Sequence, residues 1–99
     1  MYISMEKVQE KDNFVFYKFF INVPGEEFIN KYGRPDQKMK SIYGYCSFNK
    51  NTEEFILDTE KSDPYFTERS REVMACYGKL IKRKRDNEGF PPVITIATG

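Results

Sequence analysis

The run Phe14–Ile21 (FVFYKFFI) constrains the fold of this chain more than any other segment. In a β-strand, the even-numbered and the odd-numbered residues of such a run lie on opposite faces of the sheet. Both sets are rich in large apolar side chains: Phe14, Phe16 and Phe20 on one face, and Val15, Tyr17, Phe19 and Ile21 on the other. A sheet with one solvated face alternates apolar and polar residues instead. The run therefore predicts a sheet that needs cover on both faces.

The cover of the second face has two interpretations. In the first, residues 22–37 fold over it. This segment contains the turn-forming sequences Pro24-Gly25 and Gly33–Asp36, and Glu26–Tyr32 between them is predicted to form a short helical turn. In the second, part of the face is a partner-binding surface, because contiguous exposed aromatic residues usually mark an interface. The sequence leaves both interpretations open.

Strand-like runs and polar turns alternate along most of the chain. A hairpin is predicted at the start, where the turn Glu10–Asn13 joins two strand-like runs. The predicted strands are 2–9, 14–21, 39–48, 53–60 and 93–97.

One long helix is predicted between the fourth and the last strand. Asp63 is a good N-cap, and Pro64 would occupy the first helical position, where a missing N–H is harmless. Gly89 and the following prolines end the element. One apolar stripe at helical spacing is expected to pack on the sheet: Val73, Met74, Tyr77, Leu80 and Ile81.

The order ββ-connector-ββ-α-β predicts an α+β fold, an antiparallel sheet of about five strands with one long helix packed on one face. The chain has 99 residues and shows no repeat, linker or low-complexity segment. These properties predict a single domain spanning residues 1–99.

The composition argues against an enzyme. The chain has no histidine and two cysteines, and it contains no glycine-rich phosphate loop, metal-ligand cluster or nucleophile motif. The usual residues for catalysis at neutral pH are therefore missing. We expect no catalytic residue, no cofactor and no metal site.

The two cysteines are interpreted as packing residues. The sequence starts Met1-Tyr2-Ile3 and reaches the charged Glu6 at once, which does not look like a signal peptide, and no run has transmembrane length. We therefore expect a cytoplasmic protein with reduced thiols and no membrane association. Cys46 in a strand and Cys76 in a helix are small apolar residues in this interpretation, although a disulfide is possible.

Charge is unevenly distributed along the chain. The net charge is +1, but residues 53–63 carry five acidic side chains against Lys61 alone. A solvated strand is the plain interpretation of this stretch, and a surface that docks on a basic partner is the functional one. The candidates for charge contact are Glu53, Glu54, Asp58 and Glu60.

Two further groups of residues are candidates for binding. Tyr43 and Tyr45 lie on one face of the third strand and could form the aromatic centre of an interface or stack RNA bases, although no basic residue is interleaved with them. A basic cluster at the helix end matches the helix dipole and is the alternative phosphate-binding site. Its members are Lys79, Lys82, Arg83, Lys84 and Arg85.

The chain as a whole resembles the small immunity proteins of bacterial toxin–immunity systems, such as contact-dependent growth inhibition. The resemblance lies in the length, the lysine-, asparagine- and aromatic-rich composition, and the α+β layout with its acidic stretch Glu53–Asp63. It implies a non-enzymatic protein that binds and neutralises a cognate toxin domain, for example a nuclease. The alternative is a small RNA-binding or RNA-associated domain that uses Tyr43, Tyr45 and the basic helix end.

Overall fold

The computed structural model describes residues 2–97 and contains one antiparallel sheet and one helix. In chain order the elements are β1 (Tyr2–Lys11), β2 (Phe14–Ile29), β3 (Pro35–Asn49), β4 (Phe55–Leu57), α1 (Arg71–Arg85) and β5 (Val93–Ala97). The strands stand in the order β4-β3-β2-β1-β5, and the predicted α+β fold with five strands is confirmed.

The predicted hairpin of the first two strands is present. A tight turn at Asp12, which has a positive φ of 55°, joins β1 to β2. The pairing shifts by one residue between Lys7 and Gln9, so that Val8 forms a bulge in β1. A bulge of this kind bends the strand locally and redirects its side chains.

The hydrophobic core lies between the helix and one face of the sheet, called here the covered face. Alternate residues of β2 point into it, and α1 contributes Val73, Cys76 and Leu80. Phe19 is fully buried, and its ring packs edge-on against that of Phe66. Gly44, opposite Phe19 on β3, leaves room for this ring, because a Cβ at position 44 would collide with it.

The apolar stripe predicted for the helix is partly wrong. Val73 and Leu80 are buried, but Met74 and Tyr77 are 60% and 38% exposed, and Cys76 occupies the centre of the contact instead. The helix is rotated so that Tyr77 reaches only the edge of the sheet, where its ring stacks on Phe55 at a centroid distance of 5.2 Å.

The predicted helical turn Glu26–Tyr32 is wrong, and so is the interpretation in which residues 22–37 cover the second face. β2 and β3 continue past the body of the sheet and pair as far as Ile29 and Pro35, which gives the molecule a longest dimension of 55 Å. We call this projecting ribbon, residues 22–41, the β-arm. Gly25 lies at a bulge within it, next to the Lys38 carbonyl oxygen. The tip is closed by Asn30, whose side-chain oxygen accepts backbone N–H groups of Tyr32 and Arg34.

The fourth strand and the helix start also differ from the predictions. β4 comprises three residues because Asp58 Oδ1 accepts the N–H groups of Glu60 and Lys61 and turns the chain. Asp63 does accept a hydrogen bond, from the Tyr65 N–H, but this closes a turn. The helix begins at Arg71, after the N-cap residue Ser70.

Candidate functional site on the helix-free face

The sheet face opposite the helix is rich in aromatic residues and is not covered by any described part of the chain. We call it the helix-free face. Phe14, Phe16 and Tyr43 are 39%, 37% and 41% exposed. Phe20 and Tyr43 are cross-strand partners whose ring centroids lie 5.6 Å apart. An exposed aromatic surface of this kind usually marks an interaction site.

A depression of about 510 Å³ lies on this face, between the bulge of β1 and the loop that follows β4. Its apolar walls come from Val8, Phe16, Tyr45 and Ile56. Polar groups border it, among them Gln9, Ser47, Asp58, Glu60 and Lys61. Apolar walls with a few polar groups at the border are typical of sites that receive a ligand or a partner side chain.

The loop 58–63 is fixed along the edge of β3. The backbone N–H groups of Asp58 and Asp63 donate to the carbonyl oxygens of Tyr45 and Tyr43, both at 2.8 Å. The Tyr45 N–H donates to Ser62 Oγ at 2.9 Å. The loop therefore takes the place of an edge strand after β4 ends, and it holds its charged side chains at the border of the depression.

Where loop 58–63 borders the helix-free face, most of the charged side chains are negative. Asp58, Glu60 and Asp63 oppose the single cation Lys61. On the face itself, Lys18 Nζ lies 4.4 Å from the centroid of the Tyr43 ring, a cation–π arrangement. The site thus combines an aromatic centre with an acidic border.

The structure brings four of the six predicted partner-binding residues to this face: Tyr43, Tyr45, Asp58 and Glu60. Glu53 is elsewhere, because it pairs with the end of the helix. Its carboxylate lies 3.0 Å from Arg85 and 3.5 Å from Lys84. The hydrogen bond from Arg85 lowers the pKa of Glu53 below its ordinary value. Glu54 is exposed in the turn before β4 and does not line the depression.

The predicted phosphate-binding cluster is largely occupied by contacts within the chain. Arg83 donates to the Gly89 and Glu88 carbonyl oxygens and pairs with the Glu88 carboxylate at 3.2 Å. Lys84 and Arg85 pair with Glu53, as described above. Lys82 is exposed and Lys79 half-buried. The cluster belongs to the helix and therefore to the opposite side of the sheet from Tyr43 and Tyr45.

Nucleophilic chemistry has no support at the cysteines. Both thiols are free and buried. Burial raises the pKa of Cys46 to about 12 and also raises the pKa of Cys76. A protonated buried thiol is a poor nucleophile and a poor metal ligand. Among residues 2–97, no group of three or more cysteine or carboxylate side chains is arranged to hold a metal ion.

The helix α1 is too short and too polar to cross a membrane, and no other helix is present in residues 2–97.

Comparison with known proteins adds no relative. No protein-family model, no curated protein and no solved structure matches the chain.

Sequence reasoning missed Val8 and Gln9 as parts of the site. They border the depression because the bulge in β1 redirects them, and a bulge of one residue leaves no pattern in the sequence Lys7-Val8-Gln9. Ile56 is a further apolar wall that was not predicted, although it is 50% exposed.

Proposed function

We propose that the protein is a non-enzymatic protein-binding module whose binding surface is the helix-free face. Its specific role in this proposal is that of an immunity protein that binds and neutralises a cognate toxin domain. The observation that carries the proposal is an aromatic sheet face with an acidic border that no described residue covers.

The surface has the anatomy of a protein interface. Tight interfaces combine desolvated aromatic anchors at the centre with a polar rim. Phe16 and Tyr45 lie at the centre of this face, and Asp58 and Glu60 lie at its border.

The border charge indicates the kind of partner. Asp58 is fixed through one carboxylate oxygen by the turn that it closes, so its position is set before a partner arrives. Fixed charges at a rim attract a surface of opposite sign and accelerate association. The partner surface is therefore expected to be basic where it meets loop 58–63.

A second candidate function is favoured by the pair Phe20–Tyr43 with Lys18 beside it, because aromatic sheet residues with a nearby cation also stack single-stranded RNA. The basic helix end, however, lies on the other side of the sheet. An RNA-binding face should lose affinity steeply as salt rises, since counterions are released from the phosphates. Titration of a single-stranded RNA oligonucleotide at two salt concentrations separates the two functions.

The proposal predicts that a gene next to the one for this chain encodes a toxin domain, and that domain is the ligand for the test. We expect the purified domain to bind the protein and to lose its toxicity in the complex. Glu60→Lys should slow association, because it reverses a charge at the border of the depression and leaves the turn closed by Asp58 intact. Glu54→Lys is the matched control: it makes the same charge change six residues away, outside the depression, and should leave the association rate nearly unchanged.

Two results would count against the proposal. A neighbouring gene without a toxin, together with RNA binding that weakens with salt, would favour the RNA alternative. Equal effects of Glu60→Lys and Glu54→Lys on the association rate would show that the binding surface is not the helix-free face.

A further inference from the structure

The two edges of the sheet are protected very differently. At one edge, β4 has only three residues, and loop 58–63 continues along β3 and bonds to it. At the other edge, β5 pairs with β1 and has no further neighbour among the described residues. Its sequence Val93–Ala97 contains no charge, no proline and no bulge. Natural proteins usually block such an edge, because its free backbone groups can pair with another chain.

The register identifies the backbone groups that point outward. The Lys7 N–H donates to the Pro92 carbonyl oxygen at 2.7 Å. Residue pairs in an antiparallel ladder alternate between hydrogen-bonded and non-hydrogen-bonded. Ile94 and Ile96, opposite Met5 and Ile3, therefore bond to β1. The N–H and C=O groups of Val93, Thr95 and Ala97 point away from the sheet.

We propose that the β5 edge pairs with the β5 edge of a second copy of this chain, antiparallel and about a two-fold axis at Thr95. The outward N–H and C=O groups belong to Val93, Thr95 and Ala97, with Thr95 at the centre. A two-fold rotation about Thr95 therefore places the donors of one strand opposite the acceptors of the other. Thr95 faces its symmetry mate, and Val93 faces Ala97 of the second copy. All three pairs are then hydrogen-bonded pairs, which makes about six new hydrogen bonds.

The side chains are compatible with this arrangement. Ile94 is buried and Ile96 half-buried on the covered face. In the pair, Ile94 of one copy would lie beside Ile96 of the other copy, and the two cores would join. On the helix-free side, Val93 is 59% exposed and gains cover. The segment is uncharged, so no like charges meet across the axis. Such an isologous contact closes as a dimer and does not propagate.

The inference is independent of the proposed function. It uses one edge of the sheet, whereas the proposed partner surface is the helix-free face around Phe16 and Tyr45. Pairing of two β5 strands would leave both helix-free faces open, on one continuous sheet.

Sedimentation equilibrium over a wide range of protein concentration tests the inference. The mass of the wild-type protein should rise from 11.8 kDa towards twice that value. Thr95→Lys places two like charges opposite each other at the axis and should raise the dissociation constant of the dimer up to about fivefold. Thr95→Pro removes an N–H that makes no bond to β1, and proline is tolerated at such edge positions. This variant should be monomeric.

Thr59→Lys is the matched control, because it adds the same charge at an exposed threonine of the helix-free face. It should leave the dimer unchanged. Amide exchange gives a second readout: the Thr95 N–H should be slowed in concentrated wild-type protein and fast in dilute protein.

Three outcomes would overturn the inference. One is a wild-type protein that stays at 11.8 kDa at every concentration. Another is a dimer that Thr95→Lys leaves intact. The third is a dimer that Thr59→Lys breaks while the Thr95 amide exchanges equally fast at all concentrations, which would place the contact on the helix-free face.

Discussion

The two faces of the sheet are built from the same strands but serve different purposes. On β2, Val15, Tyr17 and Phe19 are buried under the helix, whereas Phe14 and Phe16 on the other side are more than one-third exposed. Both sets are rich in large apolar residues, although Lys18 lies on the helix-free side. The difference shows that the aromatic residues of β2 alone do not reveal which side builds the fold. Only the position of the helix separates the residues needed for folding from those available for binding.

The largest expected effect is the difference in stability between alanine substitutions of two aromatic residues of β2, Phe19 and Phe16. Phe19→Ala removes a fully buried ring that packs on Phe66 and should destabilise the protein by about 3–5 kcal/mol. Phe16→Ala removes a partly exposed ring from the helix-free face and should cost about 1 kcal/mol or less. Urea unfolding of both variants measures the difference. Similar losses would mean that the helix-free face also supports the fold.

A second comparison concerns the two sides of the helix. Leu80→Ala should lower the free energy of unfolding by about 2–5 kcal/mol, because Leu80 is fully buried in the core. Lys82→Ala, two residues later and exposed, should lie within about 0.5 kcal/mol of wild type. The same unfolding measurement checks both values. Small, equal changes would show that the helix does not hold the covered face.

The smallest expected effect is the pH dependence of the Glu53 ion pair, which ties the chain before β4 to the helix. Arg85 lowers the pKa of Glu53 in the folded state below its ordinary value of 4.5. The pair therefore stabilises the fold above that pH, and the contribution disappears as pH falls through the lowered pKa. Thermal unfolding of wild type and Glu53→Gln should differ at pH 7 and converge in acid.

Arg85→Gln is the control for that experiment, since it removes the shorter contact of Glu53 and leaves Lys84 at 3.5 Å. It should lower the stability at pH 7 in the same direction as Glu53→Gln but by a smaller amount. If the wild type and the Glu53→Gln variant differ by the same amount at every pH, the carboxylate charge plays no part in this contact.

Patterns that depend on neighbouring residues predicted much of the fold. The strand Phe14–Ile21, the polar turn after Glu10 and the last strand 93–97 are all present. The predictions failed where distant contacts decide the structure. Phe66 is held against Phe19, so residues 63–70 form turns although Asp63-Pro64 favours a helix start. In the sequence Pro24-Gly25, Gly25 lies at a bulge inside a long ribbon, although the same two residues would also suit a loop.

The candidate site was only partly predictable for the same reason. Strand parity placed Tyr43 and Tyr45 on the same face of the third strand, and in the structure Tyr43 lies on the helix-free face opposite Phe20. The pairing of Glu53 with Arg85 joins residues 32 positions apart, and no local pattern announces it. The depression depends on the bulge at Val8 and on the docked loop 58–63. Both arise from the pairing of the strands, not from the composition of either segment.

The most direct test of the central claim compares two aromatic residues on opposite sides of the sheet. Phe16 on the helix-free face and Tyr77 on the helix are almost equally exposed, at 37% and 38%. Titration calorimetry with the toxin domain that the proposal places in the neighbouring gene should show that Phe16→Ala weakens binding about tenfold or more, as expected for an aromatic anchor. Tyr77→Ala should leave the affinity unchanged. A loss of affinity with Tyr77→Ala and none with Phe16→Ala would contradict the account.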